Sequence, residues 1–226
     1  MVEIKNVCVK YEDNYEIFKQ LNLNVEKGEF VFVTGPSGSG KSTLVKLLTR
    51  EILPTRGTVT VNGTTVNGVD DKKLYKYRKT IGIVFQDFRL IDSKNVYENL
   101  YTIMRGLGMS KTQTNARIPA LLKQVGMEGM EGLMPHQLSG GEQQRLSIAR
   151  AMCADPKLII ADEPTGNLDP EMSGDIMRLL ADINAKGTTV IVVTHEKALV
   201  NEFDKRVIRL ERGEIVSDKQ GGYTNA

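Results

Sequence analysis

The segment Gly35-Pro36-Ser37-Gly38-Ser39-Gly40-Lys41-Ser42-Thr43 fits G-x-x-x-x-G-K-[ST] between an apolar run, FVFVT, and a helical pattern, LVKLL. In that setting backbone N–H groups wrap phosphates, Lys41 reaches the outer ones, and Ser42 can ligate Mg²⁺. The glycines keep side chains out of the anion's way. A helix beginning near Lys41 adds the positive end of its dipole. Asp162 and Glu163 follow the apolar run KLIIA. Alone, adjacent carboxylates read as a solvated turn; beside a phosphate loop, Asp162 is placed to hold Mg²⁺ and Glu163 to deprotonate an attacking water. His195 ends TTVIVVTH on the same sheet edge, where ligands of open α/β folds gather. Gln86, closing IGIVFQ, is placed to complete the Mg²⁺ or water shell.

A second stretch poses a question. In LSGGEQQR, Leu138 to Arg145, Ser139, Gly140 and Gly141 stand immediately before a helical pattern. That is another anion-ready helix start, yet one nucleotide needs no second cradle from the same chain.

These residues need elements to position them. VEIKNVCVKY alternates imperfectly at Val2, Ile4, Val7 and Val9, and LNLNV repeats the period at Leu21, Leu23 and Val25, predicting antiparallel strands that feed the loop strand. GTVTVNGTTV predicts strand with Asn-Gly turns. KLIIADEP and TTVIVVTHE read as parallel strands covered on both faces. From about Val96 to Ala151, apolar residues at Val96, Leu100, Ile103 and Leu107, then Ile118, Leu121, Leu122 and Val125, predict a helical lobe inserted between core strands. Six of the nine methionines fall in or beside it, as core filling or as an adaptable surface. RVIRLERGEIVSD predicts a closing hairpin, and KQGGYTNA a frayed tail.

With 226 residues the chain is long enough for one core and too short for two large domains. Thirty basic against 28 acidic residues give a formal charge of +2, which argues against nucleic-acid or lipid binding and makes any anion site local. Cys8 and Cys153 have no metal-like spacing and read as small buried apolar residues suited to a reducing cytoplasm. The apolar runs fall far short of the ~18 residues of a spanning helix, and MVEIKNV lacks a signal layout, so no direct membrane insertion is expected.

Phosphate loop, LSGGE, strand-Asp-Glu and strand-His, in that order over nearly the whole chain, resemble the ATP-binding cassette (ABC) ATPases. The resemblance implies an α/β fold: a RecA-like P-loop NTPase core with an N-terminal antiparallel β subdomain and an inserted α-helical subdomain. Residues 1–226 would form a single such domain, with the helical part at about 96–151. It also implies Mg²⁺-dependent ATP hydrolysis. Tyr11 would stack on adenine, with Tyr15 close enough to compete; Gln86 would be the Q-loop glutamine, Asn167 to Asp169 the D-loop, and His195 a γ-phosphate contact. Ser139, Gly140 and Gly141 would bind the γ-phosphate of ATP held by the P-loop of a second copy, with Asp169 also serving that ATP. A head-to-tail pair then encloses two ATP molecules with twofold symmetry, stabilised by contacts absent from the open chains.

EPTGNLDP and LSGGEQQR look like the branch of lipoprotein-release, macrolide-efflux and cell-division ATPases, with Glu142 replacing a glutamine common elsewhere. VFQDFRLIDSKNVYENL is similar to the Q-loop of the bacterial cell-division ATPases called FtsE. That resemblance implies an FtsX-like integral membrane partner, a peripheral position on the cytoplasmic face, and control of peptidoglycan hydrolysis. Phe85, Phe88, Leu90 and Ile91 cluster after a strand end, to dock a partner helix or to pack the lobe onto the core. The nearest rival is the ATPase of another transporter. A soluble ABC protein of DNA repair or translation would carry coiled-coil insertions or two cassettes, and a non-catalytic binding module is at odds with Glu163 and His195.

Overall fold

The computed structural model describes residues 1–11 and 16–222, so Tyr15 lies outside the described residues. The chain opens with β1 (Val2–Lys10), β2 (Glu16–Val25) and β3 (Phe30–Thr34), then α1 (Lys41–Leu48), β4 (Arg56–Val61) and β5 (Thr64–Thr65). After α2 (Leu74–Arg78) and β6 (Ile81–Val84) come three helices: α3 (Val96–Gly106), α4 (Lys111–Gln124) and α5 (Gly140–Ala151). β7 (Leu158–Asp162), α6 (Pro170–Ala185), β8 (Thr189–Val193), α7 (Lys197–Glu202), β9 (Arg206–Glu211) and β10 (Glu214–Gln220) complete it.

The strands form an antiparallel sheet in the order β2-β1-β4-β5 and a six-stranded sheet in the order β10-β9-β3-β8-β7-β6, parallel from β9 to β6. The imperfect alternation of β1 has a local cause. Its register shifts between Ile4 and Val7, where Asn6 is left-handed at φ 49°, so a bulge restores Val7 and Val9 to the buried face.

The parallel strands read as unbroken apolar runs because both faces are covered. Val31, Val33, Ile160 and Val193 point toward α1 and the antiparallel sheet; Phe30, Phe32, Ile159 and Val192 point toward α5, α6 and the helical lobe. Each fully buried side chain of this kind contributes roughly 1.5–3 kcal/mol. Capping boxes Asn95–Glu98 and Ser110–Gln113 start α3 and α4, and Val96, Leu100, Met104, Ile118, Leu121 and Leu122 form the lobe's buried face. Met104, Met127 and Met152 are buried, so these methionines fill the core.

Three local expectations are corrected. Lys219 and Gln220 extend β10 along β9 instead of fraying, because the left-handed Arg212 and Gly213 make a tight turn that carries pairing on to Gln220 opposite Arg206. Asn62-Gly63 turns β4 into β5, but Asn67-Gly68 lies in a helical turn, where Asn67 braces β4 by accepting from Val59 N–H at 2.9 Å and donating to the Gly57 carbonyl at 3.0 Å. Cys153 is buried, its thiol pushed up to about 12 by desolvation, whereas Cys8 is half-buried on β1 and points its Sγ at the Lys19 carbonyl.

Candidate active site

The parallel register sets the site. Asp162 of β7 pairs with Val193 of β8, and Val193 with Val33 of β3, so the loops after these three strands leave one sheet edge together. The β3 loop returns as α1, whose N-cap Gly40 sits at φ 107° and provides no side-chain cap. The first N–H groups of α1 therefore face an anion site without a capping side chain.

The glycines are required by contact as well as by φ. A Cβ on Gly35 would meet the Leu210 carbonyl oxygen at 2.1 Å, and one on Gly40 would meet the Phe18 ring at 2.7 Å. Lys41 Nζ donates to the carbonyls of Gly35 at 2.7 Å and Pro36 at 3.1 Å, so its ammonium already lies inside the loop. Ser39 Oγ is buried with no hydrogen-bond partner among the described residues. An orphaned hydroxyl, a parked ammonium and uncapped N–H groups around one hollow fit a bound polyphosphate.

That hollow, about 520 Å³, is lined by residues 35–43 together with Ile17, Asp162, Glu163, Val193 and His195. Burial raises the pKa of Asp162, reinforced by the neighbouring Glu163 charge and opposed by Lys41 and Arg89. A carboxylate raised in this way pays for ionisation at neutral pH, a cost that a divalent cation would offset, so Asp162 and Ser42 fit Mg²⁺. Glu163 is left-handed at φ 48°, its N–H donating to the Val193 carbonyl at 2.9 Å. Both its carboxylate oxygens lie 2.9 Å from His195 Nδ1, the spacing of a ring N–H shared between them. The Glu163 side chain is 17% exposed and that of His195 68%, so a mostly buried carboxylate meets a largely exposed imidazole.

A second hollow, about 420 Å³, adjoins the first through Ser42, Asp162 and Glu163 and is lined by Phe85, Gln86, Asp87, Arg89 and Asn167. Gln86 reaches this hollow rather than the phosphate loop itself, and the Asn167 amide donates to its backbone carbonyl at 3.0 Å. Tyr11 is exposed at the end of β1, its hydroxyl 3.3 Å from Thr43 Oγ1, and it lines neither hollow. Ser139 caps α5 and Asp169 caps α6, accepting from Met172 N–H at 2.9 Å. Ser139, Gly140, Gly141 and Asp169 line neither hollow. The two glycines let α5 approach the loop before α6 and its first turn closely: Cβ atoms on them would lie 3.1 Å from Leu168 and 2.8 Å from Met172 Sδ.

Phe85, Phe88, Leu90 and Ile91 are all half-buried. Leu90 packs on the core, the Arg89 guanidinium lies 3.8 Å from the Phe85 ring centre, and Asn99 accepts from Ile91 N–H at 2.9 Å. Phe88 and Arg89 are consecutively left-handed, at φ 56° and 50°. Such backbone is costly for bulky residues and marks this loop as held in a specific shape.

Two residues carry roles that motif reading missed. Ile17 supplies apolar lining beside Gly40. Gln144 is fully buried on α5 and its amide donates to the carbonyls of Pro164 at 2.6 Å and Phe85 at 3.3 Å, tying α5 to both loops that flank the hollows. A signal for it existed: Gln144 falls in the buried stripe Gly141, Gln144, Ile148, Ala151, where an apolar residue is expected.

Comparison with known proteins matches residues 18–166 to the family described as ABC transporter. The chain is 44% identical over 223 residues to the cell division ATP-binding protein FtsE of Mycobacterium tuberculosis, covering 98% of this chain and 97% of that protein. It is 38% identical over 220 residues to the methionine import ATP-binding protein MetN of Bordetella pertussis, covering 96% of this chain and 61% of that protein. Among solved structures, a dimeric post-hydrolysis state of the ATP-binding cassette MJ0796 bound to ADP and Pi superposes with a TM-score of 0.86 at 38% identity, covering 99% of this chain and 100% of that one.

Proposed function

This chain belongs to the ABC transporter family and is an ATPase of that family, and we propose that it hydrolyses ATP within a head-to-tail pair that drives an FtsX-like integral membrane protein in cell division, regulating peptidoglycan hydrolysis. The observation that carries the pairing is a division of parts. One chain gathers the phosphate loop, Asp162, Glu163 and His195 around one hollow, while Ser139, Gly140, Gly141 and Asp169 lie outside both hollows of their own chain. A second copy, turned by a twofold axis, would bring those residues to the open side.

In this reading the α1 N–H groups and Lys41 hold the phosphates, and Ile17 packs beside them. Tyr11 offers the exposed aromatic face for adenine. Mg²⁺, held by Ser42, Asp162 and Gln86, would neutralise phosphate charge. Glu163 accepts the proton of the attacking water, and His195 leaves Glu163 to reach the γ-phosphate. Gln144 keeps the Gln86 loop, the Glu163 loop and the signature helix in step.

Ser139→Arg tests the division directly. It is expected to bind ATP as wild type does and to remain monomeric by light scattering; persistent ATP-dependent pairing would refute a shared site.

The membrane partner is supported by the similarity to FtsE and by the half-buried Phe85, Phe88, Leu90 and Ile91 beside the helical lobe. No helix among the described residues is long and apolar enough to cross a membrane, so the peripheral position on the cytoplasmic face rests on that partner. The similarity to MetN favours a second reading, the ATPase of a solute transporter. Affinity capture from membranes separates them: an FtsX-like protein is expected, and recovery of a solute permease would overturn the cell-division role.

A further inference from the structure

Ser139 and Glu142 form a reciprocal cap at the start of α5. Glu142 N–H donates to Ser139 Oγ at 3.3 Å, while Ser139 N–H donates to Glu142 Oε2 at 2.7 Å. The Ser139 hydroxyl donates to that same Oε2 at 2.8 Å. One carboxylate oxygen therefore holds both the backbone and the side-chain donor of the residue assigned to the neighbour's γ-phosphate. Ser139 is exposed and Glu142 half-buried, so this charge lies at the surface a second copy must approach.

Resting on the shared-site reading, we propose that Glu142 is a positioning residue that sets the strength of ATP-dependent pairing, because its carboxylate occupies the Ser139 donors and repels the incoming triphosphate. Pairing then requires the Ser139 hydroxyl to be handed from carboxylate to phosphate. The same carboxylate serves the chain on its own, since an acid in the first helical turn complements the dipole and closes the cap. Glutamine at this position retains the cap through its amide oxygen and removes only the charge. A like-charge contact of about 4 Å, screened as in bulk water, corresponds to roughly five-fold in binding per site, and a twofold pair contains two such sites.

The two functions of Glu142 predict opposite signs. If its charge served only the helix dipole, its replacement by glutamine would slightly weaken the first turn of α5 and leave pairing unchanged or poorer. As a competitor for phosphate, its replacement strengthens pairing even if the thermal midpoint falls slightly.

The test compares Glu163→Gln with Glu163→Gln/Glu142→Gln by sedimentation velocity at saturating ATP and Mg²⁺. The double variant is expected to pair at about 25-fold lower protein concentration, roughly five-fold from each of the two sites. That gap should narrow as NaCl rises from about 0.05 to 0.5 M, because salt screens the repulsion. Equal or weaker pairing by the double variant, or a gap insensitive to salt, would overturn the role of Glu142 while leaving the shared site standing. Failure of both chains to pair would instead overturn the shared-site reading, and this inference with it.

Discussion

Glu163→Gln is expected to lower ATP turnover by about 10²- to 10⁴-fold, leave ATP binding intact and accumulate an ATP-bound pair. That selectivity is expected from the surroundings of the side chain. The side chain is mostly buried, its backbone N–H is fixed to Val193, and its carboxylate faces His195 Nδ1. Glutamine has the same size, tolerates the left-handed backbone similarly, and presents an amide oxygen to the histidine. What it lacks is the basicity to accept a proton from water. If hydrolysis is what loosens the pair, a chain that binds ATP without cleaving it should stay closed. Single-turnover assays with radiolabelled ATP, run beside light scattering, read both consequences. Turnover within about two-fold of wild type would show that another group takes the proton.

Lys41→Ala should act one step earlier, weakening ATP binding by roughly 10²-fold or more, as expected when charge-assisted hydrogen bonds of about 1.5–3 kcal/mol each are removed. In the free chain the ammonium is shared by the Gly35 and Pro36 carbonyls, partners that a phosphate replaces with a charged acceptor. Removing it leaves the α1 N-terminus as the main anion-binding element, worth far less in solvent. Asp162 loses one of the two cations that oppose its upward shift, leaving Arg89, so its pKa should rise further. Equilibrium dialysis with ATP measures the loss directly. Wild-type affinity in this variant would remove Lys41 from the cradle.

Much of this architecture is legible in the sequence because its cues are local. The FVFVT-loop-helix unit, the paired carboxylates after KLIIA and the histidine after TTVIVV all sit at ends of buried strands, and such ends are easily read from apolar runs. What the sequence hides depends on contacts between distant segments. Nothing near Gln144 announces that its amide bridges loops centred 59 and 20 residues away. The left-handed Phe88 and Arg89 follow from how the loop is pinned by Asn99 and Arg150, and neither residue type favours that backbone. Cys8 reads as apolar by composition, yet the β1 bulge leaves it between the buried and exposed faces. Tyr11 is a similar case. The strand-end aromatic is visible in the sequence, but its place beside Thr43 comes from the pairing of β1 with β2 and β4.

The most direct measurement is the distance from Ser139 Oγ to the nearest γ-phosphate oxygen in crystals of the ATP-loaded Glu163→Gln protein. A hydrogen bond of about 2.5–3.0 Å is expected, to nucleotide whose phosphates are gripped by Lys41 of the other copy. Ser139 lying remote from every nucleotide, or touching one held by its own Lys41, would contradict the shared site.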